Sequence, residues 1–204
     1  MGQLVAEAIR LYGRRFWAAL ALGVGPAALN ALVRAVDDAA FVLVPVAGGV
    51  VSAASFVGAC LLVGSERRRV AAAFVVGVLL FVPVPFLAIA FVLPALVWLA
   101  LVGLAVPVLV YEGGAVGTAL RRAVGLARAD FVHALGTLAT LGIIVFITQS
   151  VLFFLLRGTG DQTLTIASFL ASLVVTPLLF IGAALLYFDQ EARENAKRAR
   201  LRRA

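Results

Sequence analysis

Residues 70–111 read VAAAFVVGVLLFVPVPFLAIAFVLPALVWLALVGLAVPVLVY, which is 42 consecutive residues without a charged side chain. As one straight helix this stretch would be ~63 Å long, about twice the ~30 Å thickness of the hydrocarbon core of a bilayer. It therefore predicts a hairpin of two membrane-spanning helices. We place the turn near residues 91–94, because a turn at Pro83 or Pro85 leaves residues 70–82 too short to cross. The two prolines are expected to kink the third span.

The chain as a whole has the composition of an integral membrane protein. Of its 204 residues, 64% are hydrophobic and 13% are charged, whereas soluble domains are about half apolar and about a quarter charged. We expect an all-α integral membrane protein in which residues 1–204 form one membrane domain, a bundle of six transmembrane helices. The predicted spans are residues 16–33, 40–64, 70–91, 94–111, 132–156 and 164–188. This length leaves no room for a soluble catalytic domain.

The positions of the basic residues predict the orientation of the bundle. With six spans, 15 of the 17 Arg and Lys residues fall on the side of the amino terminus, and short cytoplasmic loops accumulate such residues. The two exceptions, Arg34 and Arg157, stand close to Asp37, Asp38 and Asp161. We therefore expect a multi-pass protein of the plasma membrane with both termini in the cytoplasm.

The net charge of +7 is explained by the same topology. Basic residues occur in short blocks at span ends and are not interleaved with stacking aromatic residues, so we expect no nucleic-acid partner. Arginine outnumbers lysine 16 to 1, a ratio typical of a GC-rich bacterial genome.

Two segments predict amphipathic helices that lie on the cytoplasmic interface of the membrane. In residues 3–16 the apolar side chains share one arc of the helical wheel and the polar ones the opposite arc, except for Arg15. Residues 117–131 carry a similar apolar stripe and lead directly into the fifth span. The two segments agree at several offsets. This agreement fits a duplicated helix-plus-span unit, but chance agreement between segments rich in Ala, Leu and Arg is the simpler interpretation.

Basic residues of the first interfacial helix and of the basic cytoplasmic tail, residues 189–204, are the predicted contacts for anionic lipid headgroups. Each such charge contributes about 1 kcal/mol near the membrane surface. For the tail, the alternative is that its charges only anchor the last span in its orientation. The residues are Arg10, Arg14, Arg15, Lys197, Arg198, Arg200, Arg202 and Arg203. The predicted partners are thus membrane lipids, anionic at the cytoplasmic face. Small residues on the second span also favour close helix packing within the chain, or with a second copy or another membrane protein.

One carboxylate at the end of the fourth span is a candidate site residue. Glu112 precedes Gly113 and Gly114 and lies nine and ten residues before Arg121 and Arg122. The glycines permit a tight reversal of the chain. We therefore interpret these side chains as a structural ion pair that holds the second interfacial helix against the bundle. A carboxylate that binds a proton or a substrate is the functional alternative.

Polar residues inside the spans are mostly hydroxyls, which bond back to their own helix at little cost. The densest group is Thr148, Gln149 and Ser150 in the fifth span, which together with Asn30 of the first span predicts a polar cavity. Direct hydrogen bonding between helices is the alternative, and each such bond contributes ~0.6 kcal/mol on average.

The residues needed for catalysis or for a metal site are missing from the sequence. Cys60 is the single cysteine and His133 the single histidine, and the only carboxylate expected near His133 is Asp130. We therefore expect no enzymatic activity, no catalytic residues, no metal and no cofactor.

Several short motifs resemble one family. They are Pro107-Val-Leu-Val-Tyr-Glu112-Gly113-Gly114, Ala119-Leu120-Arg121-Arg122-Ala123 with Leu126 and Phe131, the late Pro177, and Leu186-Tyr187-Phe188-Asp189. In this order, after the N-terminal segment from Ala8 to Trp17, they resemble the glycerophosphoryl diester phosphodiesterase membrane-domain family and its small stand-alone bacterial relatives. Ala123 stands where the family pattern has a serine, and Gln190 and Glu191 stand where it turns basic. The resemblance implies a membrane module without the catalytic domain.

Together these features predict a non-catalytic multi-span membrane module that contacts lipid or a membrane partner. A small transporter or lipid translocator is the alternative, favoured by the helix breakers Pro26, Pro83 and Pro85 and by the predicted polar cavity. The two functions differ in the interior that they require. Transport needs a polar path through the bundle, whereas a module is compatible with an apolar interior.

Overall fold

In the computed structural model, which describes residues 2–33 and 42–202, every regular element is an α-helix. The helices of these ranges are α1 Gly2–Arg14, α2 Phe16–Val33, α3 Leu43–Val63, α4 Val70–Phe81, α5 Pro83–Ala90, α6 Val92–Val102, α7 Ala105–Tyr111, α8 Val116–Ala129, α9 Phe131–Leu155 and α10 Asp161–Leu201. The predicted all-α class is confirmed for the described residues. Arg34, Asp37, Asp38 and Arg203, which enter the predictions of orientation and lipid contact, lie outside them.

Five helical stretches of the described chain are long and apolar enough to cross a membrane. They are Leu43–Val63, Val70–Ala88, Val92–Tyr111, Phe131–Leu155 and Gln162–Leu201. α1 and α2 meet at a bend of 102°, and this bent pair is a sixth candidate if it is counted as one span. Large apolar side chains such as Leu79, Phe146 and Phe154 are 66%, 70% and 67% exposed. Such a surface fits hydrocarbon better than water and is consistent with a membrane protein.

The uncharged stretch 70–111 reverses at Phe91, whose backbone is extended, with φ −162° and ψ 137°. α5 and α6 pack against each other on the two sides of this reversal. The first arm is interrupted after α4, where Pro83 has no N–H to continue the helical ladder. In the second arm Pro107 likewise cannot donate to the carbonyl of Gly103, which accepts from the N–H of Val106 at 3.4 Å. This second break, between α6 and α7, is not among the expectations from the sequence.

Small residues let the long helices approach each other closely. α10 runs along α2 and α9, and a Cβ placed at Gly23 of α2 would collide with the backbone carbonyl of Leu173 in α10. α3 contacts the end of α4 in the same way, since a Cβ at Gly49 would lie 2.7 Å from the backbone nitrogen of Val82. Close backbone approach through small residues is a common means of helix association in membranes.

α10 continues without interruption from the last predicted span into the predicted tail. Its 41 residues correspond to about 62 Å, roughly twice the thickness of the hydrocarbon core. Residues 189–201, predicted as a basic tail, are therefore helical, as the i, i+4 spacing of Asp189 and Arg193 indicates. This extension brings Asp189, Arg193 and Glu194 against α8 and α9, and so forms the site described next.

Candidate functional site

Charged side chains meet at one end of the bundle, where α7 ends, α8 crosses, α9 begins and α10 extends beyond its apolar part. They form two adjacent groups. The Glu112 cluster consists of Glu112, Arg122, Tyr187, Glu194 and Arg198. The Asp130 cluster consists of Asp130, His133, Asp189, Gln190 and Arg193.

In the Glu112 cluster a single carboxylate oxygen, Oε1 of Glu112, accepts two hydrogen bonds. The donors are the Tyr187 hydroxyl at 2.8 Å and Nε of Arg122 at 3.2 Å. Nη1 of Arg122 also donates to Glu194, and the other carboxylate oxygen of Glu194 accepts from Arg198 at 2.6 Å. The Arg122 side chain thus joins α8 to the end of α7 and to α10.

The turn between α7 and α8 brings Glu112 and Arg122 together. Gly113 and Gly114 have φ values of 78° and 87°, in the left-handed region that residues with a Cβ rarely adopt. After this reversal α8 buries Ala119 and its neighbours one turn further on against the bundle, and Arg122 is half-buried beside that face. The local sequence therefore determines that an arginine of α8 returns to the carboxylate at the end of α7.

The electrostatics of Arg122 and Glu194 reflect their mutual contact. Burial alone lowers the pKa of the Arg122 guanidinium, but the hydrogen bond to Glu194 and the charge of Glu112 outweigh burial and raise that pKa. Burial alone raises the pKa of Glu194, but hydrogen bonds from Arg122 and Arg198 outweigh it and lower that pKa. Both groups are therefore held in their charged forms. Their side chains are 26% and 15% exposed, so solvent screens this pair less than it screens an ordinary surface pair.

In the Asp130 cluster, Asp130 both caps a helix and binds a distant arginine. Its Oδ1 accepts from the backbone N–H of His133 at 3.1 Å, which is an N-cap of α9, and its Oδ2 accepts from Arg193 at 2.9 Å. Nε of Arg193 donates to Asp189 at 2.9 Å, one turn earlier on α10, as the i, i+4 spacing predicts. The fully buried Gln190 donates to the carbonyl of Asp130 at 3.4 Å.

The surroundings of His133 correct an expectation from the sequence. Asp130 is the only carboxylate predicted beside it, but Nε2 of the ring lies 2.9 Å from Oδ2 of Asp189. Nη2 of Arg193 lies 3.2 Å from the same nitrogen. Because arginine can only donate, Nε2 either accepts from Arg193 or donates to Asp189. The prediction is wrong because Asp189 is distant in sequence and approaches His133 only through the helical extension of α10.

The hydrogen bonds and ion pairs of the two clusters connect the ends of neighbouring helices to one another. Each of the four carboxylates of the clusters accepts from an arginine. Within residues 2–33 and 42–202, no three His, Cys, Asp or Glu side chains are grouped in a way that could hold a metal ion. Removing one partner of a partly buried ion pair is destabilising, because it leaves the other charge without a counter-ion.

Two of the three residues in the predicted ion pair meet in the structure. Glu112 and Arg122 are 3.2 Å apart. Arg121 is exposed and forms no ion pair with any residue that the structure describes. The two arginines differ because adjacent residues on a helix point about 100° apart, so that only one of them can face Glu112.

The predicted contacts for anionic lipid lie on both α1 and α10. Arg10 and Arg14 are exposed on α1, Lys197 and Arg200 are exposed on the extension of α10, and Arg202 is exposed directly after it.

Two further residues of this predicted set have protein partners. Arg15 is exposed, and its Nη1 donates to the carbonyl of Leu62 near the end of α3 at 3.3 Å. Arg198 is engaged with Glu194. These contacts leave fewer guanidinium donors available for lipid than the sequence alone suggests.

The predicted polar cavity corresponds to a set of hydrogen bonds between helices. Nδ2 of Asn30 in α2 donates to Ser172 in α10 at 3.0 Å, and Nε2 of Gln149 in α9 donates to the same hydroxyl at 3.0 Å. Thr148 bonds to the carbonyl of Ile144 in its own helix at 2.8 Å. Ser150 is half-buried. The structure thus brings Asn30 and Gln149 together through Ser172, while Thr148 turns to its own backbone.

Several residues of the two clusters are not predicted as site residues from the sequence. Tyr187, Asp189, Arg193 and Glu194 all lie at or beyond the end of the last span. A signal for them exists, because Asp189 with Arg193 and Glu194 with Arg198 are both spaced i, i+4 and predict a helix that continues past the span.

Comparison with known proteins gives no information about the fold or about the two clusters. No family model, curated protein or solved structure matches the chain.

Proposed function

We propose that this chain is a non-catalytic membrane module that contacts lipid. It has six spans, lies in the plasma membrane, and keeps both termini in the cytoplasm. In this proposal α2 alone is the first span, α1 and α8 are the two interfacial helices, and the end that carries the Glu112 and Asp130 clusters faces the cytoplasm. Anionic lipids at that face are its partners, and another membrane protein or a second copy of the chain is a further partner.

The observation that carries the proposal is that the arginine-rich segments converge on one end of the bundle. Arg15, at the junction of α1 and α2, donates to Leu62 in α3, and Arg69, before α4, donates to the carbonyl of Gly114, before α8, at 2.7 Å. Arg193 of α10 reaches the start of α9. Because basic residues collect in the cytoplasmic segments of membrane proteins, we assign this end to the cytoplasm.

The relationship to the glycerophosphoryl diester phosphodiesterase membrane-domain family is proposed from the sequence motifs. Three of the motifs that resemble this family contain Glu112, Arg122 and Tyr187, and these side chains are joined by hydrogen bonds. We therefore propose a stand-alone relative of that membrane domain, without the catalytic domain.

The interior of the bundle favours a module over a transporter or lipid translocator. The amides of Asn30 and Gln149 are bonded to Ser172, as described above. A cavity of about 60 Å³ among α3, α4, α6, α9 and α10 is lined by apolar residues, including Phe56 and Phe180. A pathway for polar solutes or headgroups needs polar groups along its length.

The lipid proposal is tested by reconstituting the protein in nanodiscs of mixed choline and anionic phospholipids, followed by native mass spectrometry of the lipids that stay bound. We expect anionic lipids to be enriched over their bulk fraction. Replacement of Lys197, Arg200 and Arg202 by Gln should reduce this enrichment, and Arg157→Gln, at the opposite end, should not. Retention of no lipid, or of lipid in bulk proportions, would contradict the proposal.

Two further measurements test the orientation and the alternative function. In a Cys60→Ala background, Ser65→Cys and Asn195→Cys should react with an impermeant thiol reagent from the same side of sealed vesicles. Labelling from opposite sides would overturn the assigned topology.

Transbilayer movement of a fluorescent phospholipid should be no faster than in protein-free vesicles, and faster movement would favour the lipid translocator.

A further inference from the structure

A groove runs beside α1 at the end of the bundle that carries the charged clusters. It consists of two adjoining depressions of about 480 Å³ and about 190 Å³ that share Glu7, Val63 and Leu185 in their walls. The larger depression is also lined by Asp189, and the smaller one by Arg10 and Arg14. We call these six residues the α1 groove. The larger depression falls within the ~300–1,000 Å³ range of ligand sites in proteins.

The α1 groove has an apolar floor and a charged rim. Val63 and Leu185 are half-buried and come from the ends of α3 and of the apolar part of α10. Glu7, Arg10 and Arg14 are exposed and lie on one face of α1, since they are spaced i, i+3 and i+7. An apolar floor next to charged groups matches the chemistry of a phospholipid, in which acyl chains adjoin a charged headgroup.

The charges along the rim are separated by sign. The acidic part contains Glu7 and Asp189, and the basic part contains Arg10 and Arg14. The i, i+3 spacing of Glu7 and Arg10 permits an ion pair. Yet neither of them, nor Arg14, forms an ion pair with a residue in the described ranges. These three charged groups therefore have no counter-ion from the described part of the chain.

Asp189 has an acceptor available for a ligand. Its bonds from Arg193 and its contact with His133 both fall on Oδ2. Oδ1 of Asp189 accepts no hydrogen bond from the described residues, and Asp189 is one of the residues that line the larger depression. The Asp130 cluster therefore holds this carboxylate in place and leaves one oxygen for a donor in the groove.

We propose that the α1 groove binds a phospholipid whose headgroup carries a primary ammonium, that is, one of the ethanolamine class. The phosphate binds Arg10 and Arg14, the ammonium donates to Glu7 and to Oδ1 of Asp189, and an acyl chain lies over the apolar floor. This proposal deepens the proposed function and takes lipid contact at this end of the bundle as given.

The arrangement selects between headgroups by charge and by hydrogen bonding. Arg10 and Arg14 follow Glu7 by ~4.5 Å and ~10.5 Å along the helix axis. In one short headgroup the phosphate can therefore reach the arginines while the ammonium reaches Glu7. A quaternary choline ammonium has no N–H to donate to a carboxylate, and a glycerol headgroup has no positive charge to place beside Glu7. Ethanolamine lipids are therefore bound in preference to both.

The test is a competition among ethanolamine, choline and glycerol phospholipids with identical acyl chains, present in equal amounts and measured by native mass spectrometry. We expect the wild-type protein to retain the ethanolamine lipid about tenfold over the choline lipid, the ratio that one charge-assisted hydrogen bond supplies. Glu7→Gln should bring this ratio close to one, and Glu7→Asp should keep part of it. The double substitution Arg10→Gln and Arg14→Gln should lower retention of all three lipids.

Glu66→Gln is the matched control, since it removes an exposed carboxylate at the same end of the bundle but outside the groove. It should leave the ratio unchanged, and the melting temperature of every variant should equal that of the wild type because the altered side chains are exposed. Equal retention of the ethanolamine and choline lipids, or an unchanged ethanolamine-to-choline ratio in Glu7→Gln, would overturn this proposal alone. Retention of no phospholipid of any kind would overturn the proposed function as well.

Discussion

Replacing Glu112 by Ala removes the acceptor that joins the end of α7 to both α8 and α10. Tyr187 is only 2% exposed, and its hydroxyl donates to Glu112, so the variant leaves a buried hydroxyl without this partner. Arg122 keeps its contact with Glu194. The loss of stability therefore has two parts, the orphaned hydroxyl of Tyr187 and one ion pair of Arg122.

The two parts can be estimated separately. A buried polar group left unsatisfied costs about 1–3 kcal/mol. An ion pair whose side chains are 36% and 26% exposed adds about 0.2–1 kcal/mol. We therefore expect Glu112→Ala to lower the free energy of unfolding by about 2 kcal/mol, and the melting temperature by about 4–8 °C for a chain of this length.

The assay is thermal unfolding of the detergent-solubilised protein, followed by circular dichroism. Tyr187→Phe removes the hydroxyl that Glu112→Ala orphans, so the double variant should be about 1 kcal/mol more stable than the sum of the two single effects implies. Glu66→Ala, whose ion pair with Arg68 is 58% exposed on both sides, is the control and should melt almost as the wild type does. Additive effects, or a Glu112→Ala variant of unchanged melting temperature that loses its bound lipid, would refute the structural role.

Three further expectations concern helix contacts and pH. Gly23→Ala should lower the free energy of unfolding by about 1–3 kcal/mol, because the new methyl meets the backbone of α10, whereas Gly142→Ala, which has open space around it, should be neutral or stabilising by about 0.5–1 kcal/mol. Ser172→Ala removes the acceptor shared by two amide side chains and should cost about 1 kcal/mol in the same unfolding assay. The pKa of Glu194 is lowered by folding, so its stabilising contribution is present above its ordinary value of 4.5 and is lost as the pH falls below it. The difference in melting temperature between the wild type and Glu194→Gln should therefore shrink from neutral to acidic pH.

Each of these expectations has a result that contradicts it. Equal melting temperatures for the two glycine variants would mean that α2 and α10 do not touch at Gly23. A Ser172→Ala variant as stable as the wild type would mean that the polar side chains of α2, α9 and α10 do not bond to one another. A pH-independent effect of Glu194→Gln would mean that this carboxylate is not held by the two arginines.

The helical class and the membrane character follow from composition alone, because a chain in hydrocarbon must satisfy its backbone hydrogen bonds within its own helices. The reversal near residue 91 follows from the length of the uncharged stretch. The break between α6 and α7 does not follow, since Pro107 has the same sequence signature as a proline that merely bends a helix. The extension of α10 carries no apolar signal either, because contacts with α8 and α9 stabilise it.

Only the part of the site that is formed by residues close together in the sequence could be predicted. Two glycines that permit a reversal point to the contact between Glu112 and an arginine of α8, but the choice of Arg122 depends on the rotation of α8 about its axis. The contact of His133 with Asp189 joins residues 56 positions apart, and no spacing rule reaches that far. Which side chains pair at the ends of the helices depends on how the helices pack against one another. A single sequence does not contain this information.

The unbroken length of α10 has a mechanical consequence. A helix of 41 residues is stiff along its axis. One half of α10 packs among apolar helices, while the other half is held by Arg122 in the middle of α8 and by Asp130 and His133 at the start of α9. Pro177 removes one backbone hydrogen bond from α10 and makes the helix easier to bend at that point. Rotation or translation of α10 at its Asp161 end therefore displaces the contacts around Arg193. Displacement of these contacts likewise moves the Asp161 end of the helix.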